Sequence, residues 1–244
     1  MIDKLDVFAT SRVLADEEVR GKAVVVIDVL RASSSIHTAL ENGAGGVVPV
    51  SDKDDPSRFL KNMDGSSTLL CGEKDGKKIE GFHLGNSPFE YSRDVVEGKT
   101  LLFKTTNGTA AISGSTHATK LYIGSFLALS AVSRAIVESG VNEAVLVCAG
   151  WKGRVSLEDL MCAGGIAHAI FGNQLPEGAP DGVKVAYGLY NTFGSDVAGL
   201  VGSSDHARRL KSLGHDEDIV YCSRMDLFKS VPVYKDGIIR LEES

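Results

Sequence analysis

Two short runs, Ala23-Val-Val-Val-Ile27 and Ala144-Val-Leu-Val-Cys148, are apolar at every position and rich in β-branched side chains. A strand with one solvated face alternates apolar and polar residues. An unbroken apolar run therefore predicts a strand covered on both faces, as in a parallel sheet sandwiched between helices. Each run leads into a polar loop and then a helical pattern, over 32–42 and over 156–171. The chain is thus expected to be α/β: a layered, mainly parallel sheet with flanking helices.

The remaining segments fit that frame. Short strands are predicted at 46–50, 68–71, 100–105 and 120–123, with Pro49 marking an edge or a strand end. Helices are predicted at 55–63, 109–117 and 127–139, the last closed by Gly140. Residues 174–182 are turn-rich, 183–220 read as helical, and 231–241 read as a β-ribbon around Asp236-Gly237. No repeat or linker divides residues 1–244, which read as a single unit; a division into two lobes near 120–140 is compatible with the pattern.

The 244 residues carry 26 basic and 32 acidic side chains, a net charge of −6. That balance disfavours nucleic acid, whose phosphates demand a basic footprint. No apolar run has the length of a membrane span, and the first residues lack a signal-peptide core. The four cysteines (Cys71, Cys148, Cys162 and Cys222) form no CxxC pair, which suits a reduced, cytoplasmic protein. A homodimer is compatible with such a chain, although no segment specifies one.

In α/β sheets, ligands bind where loops leave the carboxyl ends of strands. Three strand ends here carry unusual polar sequences. The first is Asp28-Val-Leu-Arg31-Ala-Ser33-Ser34-Ser35. A carboxylate there is placed to ligate a hard cation or to act as a nucleophile, and Arg31 can fork onto phosphate oxygens. The serines start a helix, where free amides favour an anion; the plainer reading is a helix cap with a surface ion pair. The second is Lys104-Thr105-Thr106-Asn107-Gly108-Thr109, a set of donors for an oxyanion or an ordinary Asn-Gly turn. The third runs from Cys148 through Lys152 and Arg154 to Ser156-Leu-Glu158-Asp159. Its two carboxylates either favour the helix dipole or complete a magnesium site with Asp28. The spacing from Cys148 to Arg154 also matches the Cys-x5-Arg loop of cysteine-dependent phosphatases, without the usual His before it or Ser/Thr after it. A fourth segment, Gly72-Glu73-Lys74 followed by Gly81-Phe-His83-Leu-Gly-Asn86-Ser87-Pro88, has the small and polar residues of a loop at a ligand.

In order and spacing, the segments 26–33, 81–88, 105–109 and 148–159 together resemble the 2-phosphosulfolactate phosphatase family. The late stretch Gly214-His-Asp216…Asp218-Ile-Val-Tyr-Cys222, with Val231-Pro232 beyond, is similar to that family's tail. The resemblance implies a magnesium-dependent phosphatase that releases inorganic phosphate from (2R)-phospho-3-sulfolactate, giving sulfolactate in coenzyme M biosynthesis. Three positions depart from the family pattern: His83 where Asp is usual, Ala110 where Arg commonly follows Asn-Gly-Thr, and Ala128 where Asn usually follows Gly-Ser-Phe-Leu.

That substrate is a small, intensely anionic ligand for an acidic protein. The expected solution is Mg²⁺ on Asp28 with Glu158 and/or Asp159, offsetting charge that develops at phosphorus. Arg31, Ser33, Ser34, Ser35 and the loop Thr105 to Thr109 would hold phosphate oxygens. Lys104, Lys152 and Arg154 are candidates for the sulfonate or carboxylate, and Glu73, Asn86, Ser87 and Cys148 complete the expected site. Water, Asp28 or Cys148 is the attacking group; the absence of a second Asp two residues after Asp28 favours water. Two further readings are another small phosphorylated hydroxy acid as substrate, which the three departures motivate, and a non-catalytic anion-binding module.

Overall fold

The computed structural model describes residues 2–11, 14–50 and 67–242. The helix expected at 55–63 lies outside the described residues. In chain order the strands are β1 (Lys4–Phe8), β2 (Ala23–Ile27), β3 (Gly46–Pro49), β4 (Thr68–Lys74), β5 (Lys77–Lys78), β6 (Thr100–Lys104), β7 (Lys120–Gly124), β8 (Glu143–Cys148), β9 (Pro232–Lys235) and β10 (Ile238–Leu241). The helices are α1 (Asp16–Val19), α2 (Ala32–Glu41), α3 (Arg93–Val96), α4 (Gly108–Gly114), α5 (Leu129–Glu138), α6 (Leu157–Phe171), α7 (Asp181–Phe193), α8 (Val197–Ser203), α9 (Asp205–Lys211) and α10 (Asp216–Cys222).

The strands form one sheet in the order β1-β8-β2-β7-β9-β10-β3-β6-β4-β5. Two blocks are internally parallel, β1-β8-β2-β7 and β3-β6-β4. The closing ribbon β9–β10 pairs antiparallel with β7 on one side and with β3 on the other. The ribbon therefore stitches the blocks together at the middle of the sheet. Strands from both sides of 120–140 interleave, since β8 lies between β1 and β2. Pro49 ends β3, which is an interior strand flanked by β6 and β10. Its missing amide is tolerated because the ladder stops there.

The β2 run is fully buried, as its sequence demands. Val25 and Ile27 face a core shared with Leu146, Cys148 and the α6 residues Met161, Ala163 and Ile166. Val24 and Val26 face a second core with Val145, Val147, the α2 residues Ile36, Ala39 and Leu40, and the β6 residues Leu101 and Phe103. This second core joins the two parallel blocks. Helix α2 crosses it, lying against β7, β9, β10 and β3.

Three successive antiparallel pairings separate the blocks, so β2 and β6 run in opposite senses. They are five steps apart, roughly 24 Å in a flat sheet at ~4.8 Å per step. Yet a Cβ added to Gly108, just beyond β6, would sit 2.8 Å from Oδ2 of Asp28, just beyond β2. The sheet must curl around the second core to bring these carboxyl ends together. That curl creates the site.

Candidate active site

Asp28 follows β2 and is 7% exposed. Its Oδ1 accepts the Ala32 amide at 3.3 Å, and its own amide donates to Ser33 Oγ at 2.9 Å. With Arg31, Glu73, Asn86, Thr106 and Asn107 it lines a cavity of about 30 Å³, which Asp75, Gly76, Trp151, Lys152, His206 and others close. That volume holds about one water. Burial pushes the Asp28 carboxyl up to about 6; His206 opposes the rise, and Glu73 and Glu158 add to it.

Arg31 caps the start of α2 and is 3% exposed. Its Nη1 donates to Asp218 Oδ2 at 2.5 Å and its Nη2 to the Gly76 carbonyl at 3.2 Å. Glu73, at the end of β4, accepts the Gly76 amide at 2.7 Å and the Thr106 amide at 2.8 Å. It thereby ties the β4–β5 turn to the loop after β6. Gly108 has to be glycine: a Cβ would also lie 2.7 Å from that of Ala32.

The third strand end divides its duties. Asp159 is 2% exposed and accepts the Val29 amide at 2.8 Å and the Gly150 amide at 3.1 Å. It clamps the loops after β2 and β8. Burial, then Asp28 and Glu158, hold its carboxyl well above the usual range. Glu158 Oε1 meets His206 Nδ1 at 3.2 Å, while its Oε2 is buried without a partner. Burial pushes Glu158 up, but the hydrogen bond and charge of His206 outweigh it and leave the carboxyl below its ordinary value. The His206 ring stacks on Trp151 at 5.2 Å, and Lys152 Nζ lies 4.9 Å from the Trp151 centroid. Trp151, Lys152 and His206 form a wall shared with a second cavity of about 540 Å³, lined also by Arg154, Glu158 and Ser204.

Several expected site residues are engaged elsewhere. Ser34 Oγ donates to Val29 O at 2.9 Å and Ser35 Oγ to Asn86 O at 2.8 Å. The Ser33 and Ser35 amides donate to the carbonyls of Asp28 and Arg31. The amides of Ala32, Ser33 and Ser35 are thus taken by local oxygens, and these serines do not line the cavity. Thr105 and Thr109 bond to each other, the Thr109 hydroxyl donating to Thr105 O at 2.9 Å. Lys104 lines a different cavity, with Thr105 and Phe82. Ser87 Oγ donates to Asp218 Oδ1 at 2.6 Å. Cys148 is a core residue with no exposure, and burial followed by the Asp159 charge drives its thiol well above the normal range. A thiolate cradled by the loop to Arg154 does not fit that setting.

Among the described residues, no three Asp, Glu, His or Cys side chains converge as a metal cluster. Asp28, Glu158 and Asp159 therefore do not make a three-carboxylate cage. The departures also fall away from the Asp28 cavity: His83 is exposed and accepts the Leu70 amide, Ala110 is exposed on α4, and Ala128 is in the core. The sequence reading missed His206, Trp151, Asp75 and Gly76. Asp218 entered it only as part of a tail segment, with no role. Nothing local marks His206, whose place beside Asp28 depends on the packing of α9.

The family described as 2-phosphosulpholactate phosphatase matches residues 9–237. A protein named probable 2-phosphosulfolactate phosphatase from Caldanaerobacter subterraneus subsp. tengcongensis is 40% identical over 98% of both chains. Proteins of the same name are 41% identical in Clostridium acetobutylicum, over 97% of this chain and 99% of that one, and 42% identical in Thermotoga maritima, over 91% and 93%. The match over 9–237 takes in every residue of the cavity beside Asp28, and the chain belongs to the 2-phosphosulfolactate phosphatase family.

Proposed function

We propose that the protein hydrolyses (2R)-phospho-3-sulfolactate to sulfolactate and inorganic phosphate, with Mg²⁺ as cofactor, in the cytoplasmic synthesis of coenzyme M. One observation carries the reading: a buried carboxylate, Asp28, a buried guanidinium, Arg31, and a strand-end turn, Thr106-Asn107, line one small cavity. The family match covers all of these residues.

The donor set fits a magnesium ion. Mg²⁺ needs only one or two carboxylates and takes waters and substrate oxygens for the rest. Among the described residues, Asp28 Oδ2 has no hydrogen-bond donor, and Glu158 Oε2 is a buried orphan. Burial raises the Asp28 pKa most, and the nearby Glu73 and Glu158 charges add to it, so a cation there would offset both. Asp28 would hold the ion with Glu158 as the second carboxylate. Asp159, with both oxygens on amides, shapes the loops instead. Bound there, Mg²⁺ supplies Lewis-acid stabilisation of charge on the phosphoryl oxygens.

The chain's own groups supply the rest. Arg31 and the Asn107 loop orient the phosphoryl group. Lys152 and Arg154 face the larger cavity, where the sulfonate and carboxylate of the substrate would lie. At about 30 Å³ the inner cavity has to open for the phosphoryl group. The test is phosphate release from a panel of phosphorylated hydroxy acids, with Mg²⁺ or with EDTA. Release led by (2R)-phospho-3-sulfolactate and abolished by EDTA supports the reading. A different preferred ester reassigns the substrate, and no release from any member points to an anion-binding module.

A further inference from the structure

We propose that Asp218 is a positioning residue of this site: from α10 it fixes the Arg31 guanidinium, which meets the phosphoryl oxygens of the substrate, and, through Ser87, the segment carrying Asn86, whose Oδ1 meets a donor brought by the ligand or its hydration. The inference rests on the phosphatase reading and deepens it.

Asp218 is 2% exposed and its two oxygens serve two different segments. Oδ2 takes Arg31 Nη1 at 2.5 Å, with His215 Nδ1 at 3.3 Å on the same oxygen. Oδ1 takes the Ser87 hydroxyl at 2.6 Å. Arg31 and Asn86 both line the Asp28 cavity, whereas Asp218 does not. The carboxylate stands behind them.

Each arm holds something that would otherwise wander. A free arginine samples many rotamers, and its planar fork is useful only when its orientation is set. Asp218 and the Gly76 carbonyl occupy one N–H each on the two terminal nitrogens, out of five donors, leaving others for an anion. On the other arm, Ser87 is held by Asp218, and the neighbouring Asn86 carbonyl by Ser35. The Asn86 side chain is itself 5% exposed, and its Oδ1 is buried without a partner. A buried amide oxygen left unsatisfied is costly, so this one is built to meet a donor brought by a ligand or its hydration.

Charge and position predict opposite outcomes here. Asp218 cancels the Arg31 charge, so on charge alone its removal should tighten binding of an anion. If its work is positioning, removal should weaken binding. Inorganic phosphate, titrated by calorimetry into the full chain with Mg²⁺ present, separates the two. Asp218→Asn should weaken phosphate binding about tenfold or more, the equivalent of one well-placed interaction. Arg31→Met should do the same, and the double variant should fall well short of the product of the two single effects, because Asp218 and Arg31 share one guanidinium arm.

Phosphate binding to Asp218→Asn as tight as wild type or tighter overturns the proposal, as do effects that multiply in the double variant. Asp218→Asn leaves a buried guanidinium charge uncompensated, and failure to fold is one outcome. In that case Ser87→Ala, which removes one arm, takes its place; weaker phosphate binding supports the proposal and unchanged binding overturns it. Hydrolysis is read separately. A wild type that binds phosphate with this pattern but turns over no phosphomonoester overturns the hydrolytic reading and leaves the role of Asp218 standing.

Discussion

Replacing Asp28 with Asn should make the metal-free protein more stable. The carboxyl sits at about 6 against an ordinary 3.8, chiefly because it is buried. Ionising it therefore costs the folded state about 3 kcal/mol more than the unfolded chain. The sign follows from the raised value. Below pH 3.8 both states hold the proton and nothing is lost; stability then falls as pH rises to 6, and the whole cost is felt above it. Asparagine keeps the shape and can still accept the Ala32 amide, but carries no charge. In EDTA at pH 8, urea denaturation should show Asp28→Asn more stable by about 2–3 kcal/mol, or about 5–10 °C in melting temperature. At pH 4 the two proteins should converge. Saturating Mg²⁺ should stabilise the wild type and leave the variant unmoved. A variant no more stable than wild type at pH 8, or a gap that does not change with pH, would refute the electrostatic account of this carboxylate.

Three other perturbations test separate parts of the account. Cys148→Ser should retain substantial phosphatase activity, since the thiol is sealed in the core; a folded, magnesium-replete but inactive variant would restore the thiolate route. Gly108→Ala should cost at least about tenfold in kcat/KM, roughly 1.4 kcal/mol, because its Cβ would meet Asp28 Oδ2 at 2.8 Å; unchanged steady-state kinetics would show that the strand ends do not meet as described. His37 is buried with its Nδ1 unpartnered, and burial lowers its pKa below 6.5 despite Glu41 and Ser230. The stability it permits is full above pH 6.5 and drains away as pH falls below that. His37→Gln should flatten the loss of denaturation free energy between pH 7.5 and 5.5, and an equally steep loss in the variant would count against it.

Periodicity carried the sheet well and the site only in part. Ala23 to Ile27 and Ala144 to Cys148 could be read as central strands because burial on both faces leaves no room for polar residues. The β1 strand escaped notice: only Leu5 and Val7 are fully buried, too short an alternation to stand out. Nothing in residues 231–241 says that the ribbon enters the middle of the sheet, because pairing partners are a property of the whole chain. Asp28 and Arg31 were legible as strand-end chemistry. The serines after them were over-read, since short polar side chains at a helix start readily bond to the local backbone instead of a ligand. Asp218 and His206 reach the site from helices nearly two hundred residues downstream, and no local spacing encodes such an approach.

Phosphate release by wild type and by Asp28→Asn decides whether Asp28 lies at the heart of a phosphatase site. With (2R)-phospho-3-sulfolactate and Mg²⁺, wild type should release phosphate, and the folded variant should keep less than about a tenth of its kcat, a loss of at least about 1.4 kcal/mol of transition-state stabilisation. A wild type that releases none, or a variant that keeps more than that, would contradict the account.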